Sequence, residues 1–201
     1  MPQVRVVVID GYPIARAGLI AFLAAAPDLE VVGEVADREN ALRLVGETAP
    51  ELVVLGFELA DGPYGVVLCR SLKALPEPPG VIVLAGHNHA EAMLPFRLAG
   101  ADSYLHRRCD RRAIVDAARR TASGQRVWDI GDEADEAIAG QAPESVDLTA
   151  RELEVLTLKQ HRLANADIAG ALNISLHTVK RHVSSIRRKL AGSGLARPGR
   201  K

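Results

Sequence analysis

Five short apolar segments recur through residues 1–122, and each is followed by a segment with helical periodicity. The apolar segments lie at 4–9, 31–35, 52–55, 81–85 and 103–105, and the helical ones at 14–25, 39–48, 66–75, from about 90, and at 111–122. Short apolar runs of this kind fill the centre of parallel sheets, whose strands are joined by helical crossovers. Asn88 and Glu91 have capping-box spacing at the start of the fourth helix, and Asp110 is expected to cap the fifth. The alternation therefore predicts an α/β fold with a five-stranded, doubly wound parallel sheet.

Residues 148–201 carry a different pattern, which is helical throughout. Thr149 and Glu152 have capping-box spacing and open a first helix. Asn165 is expected to cap a second helix, and Ser175 a third. The helices are expected up to about 160, at 166–172 and at 176–191, with a tight turn at 173–175. A short helix, a turn and a longer basic helix predict a small all-α helix-turn-helix domain.

Charge divides the chain into three segments, although its net charge is zero. Residues 1–122 carry a net charge of −2, residues 123–147 of −6 and residues 148–201 of +8. Glycine and proline punctuate the acidic middle segment, which predicts a linker with at most one short helix at 133–139. The basic last segment indicates a polyanion as its partner.

Several features bear on where the protein works. No segment approaches the roughly 18 consecutive apolar residues of a membrane span. Cys69 and Cys109 are too few for a disulfide framework and lack the spacing of a metal site. His87 and His89 have no third ligand nearby, so no metal site is predicted. We therefore expect a cytoplasmic protein with no membrane contact, no metal and no cofactor.

The last predicted helix is amphipathic. At about 100° per residue, Val179, Val183, Ile186 and Leu190 form one apolar stripe. The rest of its surface carries cations and a small hydroxyl, contributed by His177, Lys180, Arg181, Ser184, Arg187 and Arg188. A helix that merely covers a core is the alternative. Arg and Lys bind phosphates and guanine edges, however, and small polar side chains allow close approach. We therefore predict that this face enters the major groove of double-stranded DNA.

Three segments resemble the LuxR-type DNA-binding domain. They are Leu148-Thr-Ala-Arg-Glu-Leu-Glu-Val-Leu, Asn165-Ala-Asp-Ile-Ala, and Ser175-Leu-His-Thr-Val-Lys-Arg-His-Val with Ile186-Arg-Arg-Lys-Leu190. With the βα units before them, the whole chain resembles a response regulator of the NarL/FixJ class, whose receiver domain has a CheY-like, flavodoxin-like fold. The resemblance implies that Lys180, Arg181 and Ser184 face bases. It places Thr178, His182 and Arg187 or Arg188 nearer phosphates.

Receivers of this family carry a phosphorylation pocket, and the resemblance assigns its positions here. The acidic pair after the first strand is Asp10-Gly11, so one carboxylate is missing. Gly56 stands in place of the phosphoacceptor aspartate at the end of the third strand. Ala85 replaces the hydroxyl residue after the fourth strand, and Arg107 replaces a lysine after the fifth. The pocket therefore resembles one that has been emptied.

These departures predict a receiver that is not phosphorylated, since an acyl phosphate needs a carboxylate nucleophile and Mg²⁺ prefers carboxylate oxygens. Glu58 and Asp61 are substitute acceptors to consider, but they sit in a loop beyond the strand end. Our hypothesis is that Arg107 neutralises Asp10 and locks one conformation; the alternative is that Arg107 is a solvated surface cation. Tyr104 keeps the aromatic switch position of the family.

The end of the chain departs from the family as well. Members usually close the DNA-binding domain with a fourth helix that often pairs two copies on DNA. Residues 191–201 contain glycines and a proline, which do not form a normal helix. We therefore expect a homodimer that forms through the receiver domain; the alternative is a protein that binds DNA weakly until a partner helps.

Together these features predict a DNA-binding transcription regulator rather than an enzyme. Its control would come from abundance, a small ligand or a protein partner instead of phosphorylation. Two alternatives stay open at this point. One is a regulator phosphorylated at a non-standard acceptor. The other is an interaction module that titrates partner regulators by heterodimerisation.

Overall fold

A computed structural model describes residues 3–62, 64–86, 90–128, 146–160 and 163–192. The chain divides into two compact units, Met1–Ala134 and Asp135–Lys201, and each is described by itself below. None of the described helices combines the length and the apolar character that a membrane crossing requires.

The first unit alternates strands and helices. Its elements are β1 (Val4–Ile9), α1 (Pro13–Ala24), β2 (Leu29–Val35), α2 (Arg38–Thr48), β3 (Leu52–Gly56), α3 (Gly65–Lys73), β4 (Gly80–Ala85), α4 (Ala90–Leu98), β5 (Ser103–His106) and α5 (Arg111–Ala122). The five strands form one parallel sheet in the order β2-β1-β3-β4-β5. The predicted five-stranded, doubly wound sheet is therefore confirmed.

The sheet order brings the ends of three central strands together. β1, β3 and β4 are neighbours, and every residue of β3 is buried. Ile9 pairs with Leu55, so Asp10, the next residue after β1, lies beside Gly56 at the end of β3. Functional sites of open α/β sheets lie at this carboxyl edge of the strands.

Local capping chemistry defines several helix starts. The Asp37 carboxylate accepts a hydrogen bond from the Asn40 amide (3.0 Å) at the start of α2. Asp110 accepts one from the Ala113 amide (2.8 Å) at the start of α5, as predicted. The capping partners expected for α4, Asn88 and Glu91, lie outside the residues whose side chains the structure describes.

The segment predicted as a linker begins later than expected. The Tyr104 amide of β5 donates to the Val127 carbonyl (2.8 Å), and the Val127 amide donates to the Ser103 hydroxyl (3.0 Å). Trp128 forms a parallel bridge with Tyr104. The first unit therefore continues past residue 122 to at least Trp128. The short helix expected at 133–139 lies outside the described residues.

The described part of the second unit consists of three helices, α6 (Ala150–Gln160), α7 (Asn165–Ala171) and α8 (Leu176–Gly192). The predicted capping box is present, because the Thr149 amide donates to the Glu152 carboxylate (2.8 Å) and the Glu152 amide to the Thr149 hydroxyl (3.2 Å). Ser175 caps α8 by accepting from the Thr178 amide (3.0 Å). The all-α helix-turn-helix architecture is confirmed.

The predicted cap of α7 is wrong. Ala164 holds the N-cap position with extended backbone angles and no side-chain hydrogen bond, and Asn165 is already helical. An N-cap needs extended backbone so that its side chain can reach the next turn. The Oδ1 atom of Asn165 is instead buried and has no hydrogen-bond partner among the described residues.

Candidate functional site

Asp10 lies at the centre of the carboxyl edge of the sheet and is 1% exposed. Its Oδ2 atom is 2.8 Å from the Arg107 Nη2 atom, and its Oδ1 atom accepts a hydrogen bond from the Tyr12 amide (2.8 Å). The Arg107 side chain is 28% exposed. The structure thus contains the ion pair that the sequence suggested, and Arg107 is not a solvated surface cation.

The charge on Asp10 is poorly favoured despite this pairing. Burial raises the pKa of Asp10 above its ordinary value, and it outweighs the lowering effects of the Tyr12 amide and the Arg107 and Arg16 guanidinium groups. Removing a carboxylate from water penalises its ionised form, whereas donors and cations favour it. The ionised state of Asp10 therefore depends on its few remaining partners.

The space that the missing side chains would need is already taken. A Cβ atom at Gly56 would lie 2.5 Å from the Asp10 Oδ2 atom and 3.2 Å from its Cα atom. A Cβ atom at Gly11 would lie 2.5 Å from the carbonyl carbon of Leu59 and 2.7 Å from the Ala60 nitrogen. Neither position accepts a carboxylate without displacing its neighbours. The pocket is therefore closed rather than empty.

The Tyr12 side chain connects this ion pair to Glu58. The Arg107 guanidinium carbon is 4.9 Å from the centroid of the Tyr12 ring, which is a cation–π contact. The Tyr12 hydroxyl donates a hydrogen bond to the Glu58 carboxylate, and the Gly11 amide donates to the Glu58 carbonyl (3.1 Å). Sequence analysis considered Glu58 only as a substitute acceptor and missed Tyr12. An aromatic residue two positions after Asp10 was the available signal.

Ala85 and Tyr104 complete this part of the site. Ala85 is fully buried, and its carbonyl accepts a hydrogen bond from the Arg107 amide (2.8 Å). Tyr104 is also fully buried, and burial raises its pKa. Its ring lies between those of Phe96 (centroids 5.9 Å apart) and Trp128 (6.1 Å). We call Asp10, Gly11, Gly56, Ala85 and Arg107 the closed pocket.

The predicted DNA-binding side chains lie together on α8. Val179 and Ile186 are buried, while Val183 and Leu190 are partly buried, as expected for the apolar stripe. The exposed polar and charged side chains of α8, which we call the basic face, are His177, Lys180, Arg181, Ser184, Arg187 and Arg188. Thr178 and His182 are half-buried at its margin, and the Thr178 hydroxyl lies 2.8 Å from the Ser175 hydroxyl.

A buried ion pair holds α8 against the start of α6. The Lys189 Nζ atom is 2.7 Å from the Glu152 Oε2 atom and 2.7 Å from the Asp147 carbonyl oxygen. Burial opposes ionisation of Glu152, but hydrogen bonds from Lys189, Thr149 and Ser185 outweigh it and lower the pKa of Glu152 to about 2. Sequence analysis assigned Glu152 only to the capping box and missed this second role.

Arg151 makes a related contact at the turn before α8. Its Nη2 atom donates to the Leu172 carbonyl (2.6 Å) at the end of α7, and its Nη1 atom pairs with Glu154 (2.6 Å). Asn173 follows with a φ of 51°, a left-handed conformation that Asn tolerates better than most residues. Two adjacent residues of α6 therefore fix the position of α8. Arg151 contacts the turn before α8, and Glu152 contacts Lys189 near its end.

Within the described part of the chain, no group of three or more His, Cys, Asp or Glu side chains could hold a metal ion. The family described as "Response regulator receiver domain" matches residues 6–119, which include the closed pocket. The chain belongs to the response regulator family. A second family, "Bacterial regulatory proteins, luxR family", matches residues 146–196 and includes the basic face of this response regulator.

Related proteins agree with this assignment. The response regulator is 31% identical over 199 residues to "Transcriptional regulatory protein LiaR" of Bacillus subtilis (strain 168), covering 94% of this chain and 91% of that protein. It is also similar to the signal receiver domain of NarL from Mycobacterium tuberculosis, with a TM-score of 0.59, 26% identity, and coverage of 62% of this chain and 100% of that chain.

A structure of RcsB from Salmonella enterica serovar Typhimurium, bound to a promoter in the presence of a phosphomimetic, covers both units. It has a TM-score of 0.68 and 20% identity, with 94% of this chain and 93% of that chain covered. At this identity the likeness shows the fold alone. The response regulator therefore shares its two-domain architecture with a protein solved on DNA.

Proposed function

We propose that this response regulator binds duplex DNA through the basic face of α8 and regulates transcription without phosphorylation of its receiver. The second half of the proposal rests on one observation. The Asp10 carboxylate fills the space above Gly56 and is paired with Arg107. Where the family carries its phosphoacceptor, this chain carries a neutralised ion pair.

Phosphoryl transfer to a receiver needs an accessible carboxylate oxygen as nucleophile. Both oxygens of Asp10 are engaged, one by the Tyr12 amide and one by Arg107. Mg²⁺ requires several oxygen ligands in near-octahedral geometry, and a carboxylate already bound to a guanidinium is a poor ligand for it. Glu58 accepts a hydrogen bond from the Tyr12 hydroxyl, so it is engaged as well.

DNA binding is supported by the separation of the two sides of α8. The apolar stripe is turned inward, while the side chains of Lys180, Arg181 and Ser184 are exposed and suited to base edges. We assign phosphate contacts to a second group of side chains, His177, Thr178, His182, Arg187 and Arg188. Each neutralised phosphate releases counterions, so the affinity should fall steeply with salt.

Control of such a regulator must come from something other than a phosphoryl group. Abundance, a small molecule and a protein partner are the sources that we propose. We also propose that the protein acts in the cytoplasm as a homodimer formed through its receiver domain. Analytical ultracentrifugation of the full chain and of residues 1–128 tests the second point, because both should dimerise with similar affinity.

Phosphorylation is tested directly by incubating the full chain with acetyl phosphate and Mg²⁺ and measuring its intact mass. We expect no increase by one phosphoryl group. An increase that disappears in Glu58→Gln or Asp61→Asn would instead support a non-standard acceptor. The proposal of phosphorylation independence would then be wrong.

DNA binding is tested with random duplex DNA across a salt series. We expect binding at low salt, with a logarithmic affinity that falls linearly with the logarithm of salt concentration. No binding at low salt, or a flat salt response, would favour the interaction module that titrates partner regulators.

A further inference from the structure

Positive charge is concentrated in one short part of the first unit. Residues 107–126 contain seven arginines and two aspartates, a net charge of +5. Residues 1–106 contain seven Lys or Arg and 13 Asp or Glu, a net charge of −6. Three of the seven arginines form ion pairs with aspartates, namely Arg107 with Asp10, Arg119 with Asp28 and Arg120 with Asp116.

Three other arginines lie together at the start of α5, and we call Arg108, Arg111 and Arg112 the arginine cluster. All three side chains are exposed, and none of them pairs with a carboxylate in the part of the chain that the structure describes. Asp110 lies between them in sequence, but its carboxylate is engaged by the Ala113 amide (2.8 Å). The arginine cluster is therefore a surface of cations without anionic partners.

The position of these cations is unfavourable for α5 itself. Arg111 and Arg112 are the first two residues of the helix, and its first turn contains no acidic residue. The free amides at a helix N-terminus carry partial positive charge, so cations there are repelled and acidic residues are preferred. A sequence that breaks a local rule in this way is typical of a surface with a binding role.

The segment that leaves the first unit runs toward the arginine cluster. The Tyr104 amide donates to the Val127 carbonyl (2.8 Å), and Trp128 forms a parallel bridge with Tyr104. Because this pairing is parallel, the chain at Trp128 points toward the end of β5 that precedes Arg108. The Arg97 guanidinium carbon lies 5.4 Å from the centroid of the Trp128 ring. The chain therefore passes one cation and heads toward three more.

The sequence directly after Trp128 is acidic. Residues 129–134 contain no Lys or Arg and three carboxylates, those of Asp129, Asp132 and Glu133. Arg108 follows Tyr104 by four residues, and Asp132 follows Trp128 by four. Four extended residues span about 13 Å, so the length of chain from the parallel bridge is the same on both sides. The acidic residues are thus within reach of the arginine cluster.

We propose that the arginine cluster is a docking surface for residues 129–134 of the same chain. Three carboxylates match three cations that have no other carboxylate partner in the described residues. Exposed ion pairs are individually weak, but attachment at Trp128 gives the acidic residues a high effective concentration beside the arginines. Docking neutralises a basic surface that would otherwise attract polyanions to the receiver. The inference requires neither DNA binding nor the absence of phosphorylation.

Carbodiimide cross-linking of the full chain tests this contact, because the reagent adds no spacer and joins a carboxylate to an amine only when the two touch. Arg111→Lys combined with Arg112→Lys keeps both charges and supplies the amines. We expect mass spectrometry to find a link from position 111 or 112 to residues 129–134. Lys73 and Asp102, which are 2.8 Å apart, provide the positive control in the same sample. Arg43→Lys, at another exposed site of the receiver, should give no link to residues 129–134.

Isotopes and salt establish which contact produces the link. In a mixture of 15N-labelled and unlabelled chains, the link should join peptides of one isotopic form only. In about 1 M salt its yield should fall at least about threefold, because exposed charges are then screened within about 3 Å, and the Lys73–Asp102 link should change less. Arg108→Lys replaces the double variant if that variant fails to fold by circular dichroism. The proposal would be overturned by the absence of the link while Lys73 and Asp102 react, by links between isotopic forms, or by a yield that does not depend on salt.

Discussion

Each of the two units buries a carboxylate against a cation, but the surroundings move the two pKa values in opposite directions. Asp10 in the first unit is 1% exposed, and burial raises its pKa. Glu152 in the second unit is 4% exposed, yet its pKa is lowered to about 2, because hydrogen bonds outweigh the effect of burial. Two carboxylates that are buried to a similar extent therefore have pKa values shifted in opposite directions.

The difference lies in the donors that reach each carboxylate. Those of Glu152 are the Lys189 ammonium, the amide and hydroxyl of Thr149, and Ser185. Asp10 has the Tyr12 amide and Arg107. A buried ion stabilises a fold only when its partners replace the lost water. The Glu152 pair supports the helix that carries the basic face, whereas the Asp10 pair mainly fills the closed pocket.

The largest expected effect follows from breaking the better-satisfied pair. Glu152→Gln should lower the unfolding free energy of the second unit by about 3 kcal/mol, because Lys189 loses its charged partner in a buried setting. Hydrogen exchange in α6 and α8 at several urea concentrations measures this loss. The exposed i,i+4 pair of Arg43 and Glu47 supplies the control, since Glu47→Gln should change stability by less than about 0.5 kcal/mol.

The same variant has a pH signature. The pKa of Glu152 is about 2 when folded and 4.5 ordinarily, so its contribution is fully present above pH 4.5 and is lost as the pH falls toward 2. The difference in stability between the native chain and Glu152→Gln should therefore shrink by about 3 kcal/mol over that interval. A difference that does not depend on pH would mean that packing, not charge, makes Glu152 important.

The second prediction asks whether the pocket can be refilled. Gly56→Asp should destabilise the first unit by about 2 kcal/mol, because the new side chain overlaps the Asp10 carboxylate and adds a like charge. It should also fail to restore phosphorylation by acetyl phosphate. Gly46→Asp is the matched control, since a Cβ atom there has nothing within 4 Å. A stable, phosphorylated Gly56→Asp variant would show that the pocket was merely empty.

Both units contain features that could be predicted from the sequence. The apolar segments predicted the sheet, and Thr149, Ser175 and Asp110 predicted helix starts, because capping depends on groups a few residues apart. The pairing of Asp10 with Arg107 was proposed because the family resemblance assigned both residues to the same pocket, and the structure contains that ion pair.

Features that depend on three-dimensional space were not foreseen. Gly56 suggested an absent side chain, but the register of β1 beside β3 lets the Asp10 carboxylate fill that space. Trp128 lies in an acidic, glycine-rich segment that resembles a linker, and only the exposed edge of β5 explains why it docks. Neither neighbour is close in sequence, so no local pattern could predict the contact.

The third prediction concerns the exposed cations of α8. Arg181→Ala should weaken binding to a cognate site by about 2 kcal/mol if Arg181 contacts a base. Arg188→Ala, at a proposed phosphate contact, should weaken binding to all sequences and reduce the salt slope by about one. Fluorescence anisotropy at several salt concentrations separates the two. Arg43→Ala, on the receiver, should leave both quantities unchanged.

The smallest expected effect is the pH dependence of Asp10→Asn. Because the folded pKa of Asp10 is raised, its ionised form disfavours the folded state, and the native chain loses stability as the pH rises from the ordinary value of 3.8 through the folded pKa. Asn does not ionise, so the Asp10→Asn variant does not lose stability in this way. Its stability relative to the native chain should therefore increase over that interval, whatever constant cost comes from leaving Arg107 unpaired.

Urea unfolding followed at Trp128 measures this change in the first unit, and its sign is opposite to that expected for Glu152→Gln. The stability of each variant relative to the native chain could instead change with pH in the same direction. In that case the number of hydrogen-bond donors would not explain the difference between Asp10 and Glu152. Opposite slopes would show that the same residue chemistry, a buried carboxylate beside a cation, supports the fold in one unit and burdens it in the other.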